Sequence, residues 1–485
     1  MTDCTVMTIT VAPGRGAVAT AVAAVLALSA AGCGSSDADD TAGLERTTRT
    51  DVPFRGCDEV ACQGDLGGAD YDVRLPTKWN GSLLIYSHGY RPTEPVPPDF
   101  DPAEDTAASA PSAEVAQLLL DQGYALAGSA YKSNGWAVPE GVAAGEQLHE
   151  WFAGNVGRPD RVYVWGDSLG GLITQLLAER HPEWVTAAAP FCGVLAGTNR
   201  NLDLALDLAY AVKTLIYPKL KLTGFASHDE AVQNWQRALA AISAAGRDIT
   251  RGVPKLVMVA AIADAPNRTR AYDGATIESQ VRGYAESVLT GLGYSTFGRY
   301  EIEQRVGGNP STNTDADYAA RVSESERSLV ETVSPGATQR MLAQLAAGDR
   351  VSADSAARTA ADGLGDPSGA VRDPTITLHT TADPLVLAQN ETVFAGRAYS
   401  SPQRISDFVQ LYIAPPPTYP QDPGAPYGAG HCNFTPQQRL AVIKLLDEWA
   451  RVGSYPMGPA IAAAFGADPG LRTQYDPGPW PGETG

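Results

Sequence analysis

The stretch that decides the fold is residues 161–171, which read RVYVWGDSLGG. Its first five residues, 161–165, are mostly β-branched and aromatic, which predicts a buried strand. A helical pattern over 169–179 follows at once, so the residues between them must form a tight turn. The spacing Gly-x-Ser-x-Gly over 166–170 places small residues on both sides of Ser168. A serine on such a turn, at the amino terminus of a helix, is a candidate nucleophile.

The chain around this stretch alternates short strand-like runs with helical patterns, which is typical of an α/β fold with a mostly parallel central sheet flanked by helices. Strands are predicted at 71–75, 82–87, 124–129, 161–165, 187–194, 375–380 and 408–413, and helices at 112–122, 145–155, 169–179 and 435–452. Between 196 and 370 the rhythm changes to Ala-rich, mainly helical segments. The apolar run 256–262 fits either a strand or a buried helix.

Composition excludes several classes of function. Of 485 residues, 44% are hydrophobic, which suffices for a large core and excludes disorder as the main state. The formal net charge of −19 argues against nucleic acid as a partner, because its phosphates would be repelled.

The amino terminus predicts export. An apolar run over 17–31 follows Arg15 and is too short for a permanent membrane span, so residues 1–32 are expected to be a signal peptide. The sequence AAGC ending at Cys33 resembles the bacterial lipoprotein box, which implies lipidation of Cys33 and a membrane attachment through that lipid alone. An ordinary cleaved signal with an incidental cysteine is the alternative. Residues 33–56 are expected to be a flexible tether.

Export makes disulfides the natural state of the remaining cysteines. Cys57 and Cys62 are close in sequence and are expected to pair, which leaves Cys192 for Cys432. The cysteine and histidine spacings resemble no zinc site, so we expect neither a metal nor another cofactor.

A serine nucleophile needs a base, and His431 is the best placed of the six histidines. It lies in a Gly-rich loop after the last core strand and before the final helix, whereas the others have ordinary surface or packing roles: His88, His149, His181, His228 and His379. Asp383 follows the preceding strand and is the expected acid. Asp167 is its rival, but its side chain should point away from the base of Ser168.

An oxyanion hole requires two backbone amides aimed at one point. One is expected from Leu169, directly after the nucleophile. The other is expected from Tyr90, in the turn His88-Gly89-Tyr90 that follows a predicted strand. A tight turn without a function is the alternative for that segment.

These motifs together resemble the α/β-hydrolase superfamily, whose nucleophile, acid and base follow one another in the order of Ser168, Asp383 and His431. The resemblance covers 57–195 and 371–453. It is partial toward the tannase and feruloyl esterase group, in which a cysteine follows the catalytic histidine, as Cys432 does here. That group has its partner cysteine directly before the serine, where this chain has Asp167, so Cys192 is expected to take the equivalent tying role.

The resemblance implies an exported serine esterase that cleaves small-molecule or polymeric esters through a covalent acyl-enzyme. It also implies that 196–370 form a helical cap over the site. After the core, the Pro- and Gly-rich composition of 454–485 separately predicts a wrapping or partly disordered tail. Plain packing within the cap is the expected role of most of its large apolar residues; those that could line the pocket are Tyr210, Leu215, Tyr217, Phe225 and Trp235. A prolyl-oligopeptidase-type serine peptidase is a second interpretation, and a non-catalytic binding lipoprotein on the same scaffold is a third.

Overall fold

The computed structural model describes residues 61–96, 106–419 and 427–483. The expected signal peptide, tether, Cys33 and Cys57 lie outside these ranges, so nothing in the structure bears on them. Among the described helices, not one combines the length and apolarity that a membrane crossing requires.

The described residues form one nine-stranded, mostly parallel sheet with helices on both faces, which confirms the predicted α/β class. The strands are β1 Ala61–Asp65, β2 Asp70–Arg74, β3 Ser82–Ser87, β4 Ala125–Ser129, β5 Arg161–Asp167, β6 Ala187–Phe191, β7 Thr375–Thr380, β8 Phe408–Ile413 and β9 Leu471–Arg472. Their order across the sheet is β1-β2-β4-β3-β5-β6-β7-β8-β9. Pairing is parallel from β4 to β8 and antiparallel at the two edges.

Helices connect these strands and cover the sheet. They are α1 Ala113–Asp121, α2 Val138–Asn155, α3 Leu169–Arg180, α4 Thr198–Leu215, α5 His228–Arg247, α6 Gly252–Ile262, α7 Ile277–Tyr294, α8 Phe297–Val306, α9 Glu324–Val333, α10 Ala337–Ala347, α11 Ser355–Asp362, α12 Gln389–Ser400, α13 Pro436–Val452 and α14 Gly458–Ala464. The side chain of Thr435 caps α13 in a capping box, which explains where that helix begins.

Alternate residues of the central strands feed two separate cores, as a strand with both faces covered requires. Ile85 and Val164 pack on one face with residues of α2 and α3. Leu84 and Trp165 pack on the other face with residues of α1 and α13. The continuous apolar runs of β3 and β5 follow from this burial on both faces.

One helix and one strand have boundaries that differ from the predicted ones, for reasons that the local sequence pattern does not contain. Helix α2 begins at Val138, seven residues before the predicted start, and its Gly141 and Gly145 lie where a Cβ would overlap Ile173 and Leu177 of α3. These glycines lower helix propensity but permit close packing of the two helices.

Strand β6 ends at Phe191, three residues earlier than predicted, because Cys192 turns to a positive φ of 41°. The ambiguous run 256–262 is helical and forms most of α6, with every residue of that run buried.

The carboxyl-terminal segment, expected as a wrapping or partly disordered tail, carries α14 and the short strand β9. Leu471 and Arg472 pair antiparallel with the end of β8 and complete the sheet edge. Two residues are too few to predict a strand from sequence, and it is the exposed edge of β8 that gives them a partner.

Helices α4 to α11 separate β6 from β7 and have a hydrophobic core of their own, centred on α4, α6 and α7. Since parallel strands end at one edge of a sheet, the carboxyl ends of β3, β5 and β7 carry the candidate residues to the same place. The helical segment packs over that place and contributes to its cavity.

Candidate active site

The turn at Ser168 has the geometry expected of an exposed nucleophile. Ser168 lies between β5 and α3 with φ 60° and ψ −121°, a backbone conformation that is strained for a residue with a side chain. A Cβ at Gly166 or Gly170 would overlap the carbonyl oxygen of Ser87 on β3. The two flanking glycines therefore allow the turn to close against the neighbouring strand.

Asp383 and His431 are joined by a short hydrogen bond. The distance from His431 Nδ1 to Asp383 Oδ2 is 2.7 Å, and the other oxygen of Asp383 accepts the backbone amides of Leu385 at 2.9 Å and Val386 at 3.0 Å. Burial opposes ionisation of Asp383, but the charge and hydrogen bond of His431 hold the pKa of this carboxyl below its ordinary value. A buried carboxylate so held fixes the tautomer of the imidazole.

Backbone contacts fix the loop that carries His431 to the turn that carries Asp383. Gly430 donates its amide to the carbonyl of Ala382 at 2.8 Å, and its own carbonyl accepts the Thr380 hydroxyl at 2.9 Å. Ala382 and Ala429 also form a parallel bridge. Asp383 and His431 are therefore positioned as one unit, although 48 residues separate them in sequence.

The predicted disulfide between Cys192 and Cys432 is confirmed, with a Cα–Cα distance of 5.5 Å. It joins the end of β6 to the residue after His431. The two sulfurs and the His431 ring lie close enough to hold a metal ion, but the disulfide leaves no thiolate as a ligand. Cys62 is also disulfide-bonded. Its expected partner, Cys57, lies outside the described residues, so that pairing stays a prediction.

Asp167 has a partner that excludes it as the acid of His431. Its carboxylate accepts hydrogen bonds from the Tyr86 hydroxyl at 2.9 Å and from the guanidinium of Arg439 at 2.5 Å.

Arg439 also donates to the carbonyl of Cys432 at 3.2 Å. Arg439 therefore links the serine turn to the histidine loop, beside the disulfide. Sequence reasoning missed it, because a single arginine in a helix far along the chain carries no signal.

Loss of the disulfide should loosen the histidine loop. We expect the double variant Cys192→Ala/Cys432→Ala to lose about 2–5 kcal/mol of unfolding free energy. We also expect its kcat to fall more than its KM rises, because a base displaced by about 1 Å can cost about a hundredfold in rate. Denaturant unfolding and ester hydrolysis measure the two effects.

The double variant Cys57→Ala/Cys62→Ala, which changes the other expected pair, with Cys62 on the edge strand β1, is the control for turnover. Wild-type kcat and wild-type unfolding free energy in the Cys192/Cys432 variant would contradict the bracing role.

The two expected oxyanion donors, Tyr90 and Leu169, line the same cavity as Ser168 and His431. Leu169 is the first residue of α3, where a backbone amide has no acceptor within the helix. Gly89 lies so close to the turn that a Cβ there would be 3.2 Å from the Cβ of Ser168. A larger residue at Gly89 would therefore push the Tyr90 segment away from the nucleophile.

His88, beside this segment, is buried and stacks on Tyr131 with ring centroids 3.9 Å apart. Burial lowers the pKa of His88 to about 3, so its ring is neutral. Its Nδ1 lies 2.7 Å from the carbonyl oxygen of Gly89 and therefore donates to it. This packing role agrees with the ordinary role expected for His88.

Cap and core line the cavity together. The core contributes Tyr90, Trp136, Ser168, Leu169, Val194, Pro384, Leu385, Val386, Leu387 and His431, and the cap contributes Asn201, Leu202, Leu204, Ala205, Leu208, Ala263, Ala265, Ser287, Gly291, Tyr294 and Gly298. Among the residues that the structure describes, this lining contains no Asp, Glu, Lys or Arg.

The five cap residues named from sequence as possible pocket residues are absent from the lining. They belong to the packing of the cap instead: Tyr210, Leu215 and Trp235 are buried in its core, Tyr217 packs against that core, and Phe225 is buried. Hydrophobicity alone could not separate residues that face the cavity from residues that face neighbouring helices.

No family model and no curated protein sequence matches the chain. Among solved structures, a proline iminopeptidase of Mycobacterium smegmatis is 14% identical, over 81% of this chain and 100% of that chain, with a TM-score of 0.36. Feruloyl esterase B of Aspergillus oryzae is 13% identical, over 85% of this chain and 86% of that chain, with a TM-score of 0.37. Another esterase of Aspergillus oryzae is 13% identical, over 82% and 80%, with a TM-score of 0.38.

TM-scores this low do not support a fold assignment, which rests instead on the geometry of the chain itself. The sheet is parallel from β4 to β8, a Gly-x-Ser-x-Gly turn follows β5, and a buried aspartate and a loop histidine follow β7 and β8. By this strand order and this order of Ser168, Asp383 and His431, the chain has the α/β-hydrolase fold.

Proposed function

We propose that this protein is an exported serine hydrolase that cleaves carboxylic esters through Ser168, His431 and Asp383. The observation that carries the proposal is the Asp383–His431 hydrogen bond of 2.7 Å, with His431 and the strained Ser168 facing one cavity. Export, with the lipid attachment at Cys33, belongs to the same proposal, and cell fractionation with labelled fatty acid checks it.

The chemistry follows from these groups. His431 removes the hydroxyl proton of Ser168 as the oxygen attacks the ester carbonyl, and the amides of Tyr90 and Leu169 receive the developing oxyanion. The imidazolium then protonates the departing alcohol and leaves an acyl-enzyme. Water, deprotonated by His431, attacks the acyl carbonyl, and collapse of the second intermediate releases the acid and regenerates the Ser168 hydroxyl.

The lining of the cavity indicates an uncharged, apolar substrate group. Burying a charged group without a partner costs several kcal/mol. A peptidase that recognises a free amino terminus would need a carboxylate to pair with the ammonium, and the described residues that line this cavity supply none. Esters with aliphatic or aromatic groups fit this lining better than charged peptides do.

The experiment compares p-nitrophenyl esters of increasing acyl length with aminoacyl-prolyl amides, on the same purified protein. We expect turnover of the esters and labelling of Ser168 by a fluorophosphonate. Turnover of the amides with inert esters would favour the peptidase. Neither turnover nor labelling would favour a non-catalytic binding protein.

Gly291 on α7 is expected to set the length of chain that the cavity accepts. A Cβ at this position would lie 2.7 Å from Leu208 Cδ2, so a larger residue must enter the space between α4 and α7. We expect Gly291→Leu to reduce kcat/KM for long-chain esters about tenfold or more relative to an acetyl ester, since each excluded methylene loses about 0.8 kcal/mol of transfer free energy.

The control is Gly396→Leu, the same substitution at an exposed position of α12 where a Cβ meets open space. An unchanged ratio of long-chain to acetyl activity in Gly291→Leu would show that the substrate does not reach α7.

A further inference from the structure

A second histidine, His379 on β7, is buried behind the triad acid with no exposed surface. Its Nε2 lies 2.8 Å from the carbonyl oxygen of Val386 and 3.8 Å from Asp383 Oδ2. Its Nδ1 lies 3.1 Å from Glu391 Oε1, on α12, and Glu391 is equally buried. The mechanism proposed above uses neither His379 nor Glu391.

The hydrogen-bond partners determine where the protons are. A carbonyl oxygen only accepts, so His379 Nε2 must carry a hydrogen. The second oxygen of Glu391 accepts the hydroxyl of Thr377 at 2.7 Å and the side-chain amide of Gln410 at 2.7 Å, which suits a carboxylate. Nδ1 therefore donates to Glu391, and His379 is an imidazolium in a buried ion pair.

The electrostatics agree with this assignment. Burial acts to lower the pKa of His379, but the hydrogen bond and charge of Glu391, with the charge of Asp383, outweigh it and raise that pKa. Other titratable groups face this pair from neighbouring elements. Tyr412 on β8 has a raised pKa, chiefly through burial, and is neutral, and Asp264 from the cap lines a polar cavity that also contains Asp383.

His379 acts on Asp383 in two ways. Its Nε2–H donates to the carbonyl of Val386, and the amide of Val386 donates to Asp383 Oδ1. The turn around Asp383 is therefore fixed from both sides. His379 also presents a positive charge to Asp383 Oδ2, the oxygen that contacts His431. That charge partly offsets the field with which Asp383 stabilises a protonated His431.

We propose that the buried His379–Glu391 pair is a positioning unit that orients Asp383 and offsets part of the negative charge that Asp383 presents to His431. The proposal rests on the function proposed above. Its direction follows from the charges: removing the imidazolium leaves the negative charge of Asp383 beside His431 without that offset.

The first test is the pH profile of kcat/KM for ester hydrolysis. We expect His379→Gln to move the acid limb upward by about one pH unit, because a full charge 3.8 Å from Asp383 is removed from a buried site. Glu391→Gln should move the acid limb in the same direction but by less, because loss of the carboxylate charge lets His379 become neutral. KM should change little. Thr377→Val, which removes a hydrogen bond from the same carboxylate but keeps both charges, should leave the limb in place.

The proposal would be overturned if the acid limb stayed at the wild-type position, or moved downward, in both folded variants. An upward shift of equal size in Thr377→Val would also overturn it.

The second test needs no variant to fold. In full-length protein with ¹⁵N-labelled histidine, both ring nitrogens of His379, identified by its hydrogen bonds to Val386 and Glu391, should show the shifts of an imidazolium at pH 7.

A single neutral tautomer in that spectrum would also overturn the proposal. Absence of ester hydrolysis, in contrast, would refute the proposed function while the spectrum still tested the ion pair.

Discussion

Ser168→Ala is expected to reduce kcat for ester hydrolysis by roughly 10⁴–10⁶-fold, because the acyl-enzyme can no longer form. KM should change little, since the cavity lining keeps its apolar contacts. Fluorophosphonate labelling should disappear, while the thermal midpoint should stay near that of the wild type, because alanine meets the same backbone strain at φ 60°.

The matched control is Ser328→Ala, at an exposed position of α9 in the cap, which should retain wild-type kcat. Full esterase activity in Ser168→Ala would make the nucleophile assignment wrong, even though the fold would stand.

Asp383→Asn is expected to reduce kcat by about 10⁴-fold with the geometry largely kept. The amides of Leu385 and Val386 would continue to hold an oxygen at this position, which turns the amide nitrogen toward His431. Nδ1 of His431 would then accept, its proton would move to Nε2, and the ring could not take a proton from Ser168. Steady-state kinetics measure this loss, with the exposed Asp407→Asn as control. A loss below tenfold would show that another group orients His431.

The same variant should change how stability depends on pH. The pKa of Asp383 is lowered in the folded protein, so its ionised form contributes stability above the unfolded pKa of aspartate. That contribution is lost as the pH falls through the lower, folded value. Asp383→Asn should therefore be less stable than the wild type at neutral pH, and the difference should narrow in acid.

Local pattern was sufficient for the α/β class and for most of the candidate site. A strand, a Gly-x-Ser-x-Gly turn and a helix are specified within eleven residues, 161–171, so the serine turn needs no distant information. Asp383 and His431 were selected by their order and by the loops that carry them, and the structure brings them into a hydrogen bond of 2.7 Å. The Cys192–Cys432 pair followed from counting cysteines.

Other features could not be predicted because their cause lies elsewhere in the chain. The early start of α2 depends on how closely Gly141 approaches α3, and β9 depends on the free edge of β8. Arg439 gains its role only through Asp167, 272 residues away in sequence. Which cap residues line the cavity is also decided by tertiary contacts: the five named as possible pocket residues lie in the packing of the cap, since apolarity does not say which side of a helix faces a cavity.

The sequence by itself determined the serine turn, the order of the three triad candidates and the pairing of Cys192 with Cys432, because each depends on short spacing or on elimination among few residues. Only the tertiary structure decided the lining of the cavity and the charge state of His379. Both depend on contacts between segments far apart in the chain. Burial removes water from these contacts, so a polar or charged group there must be paired by another group of the protein.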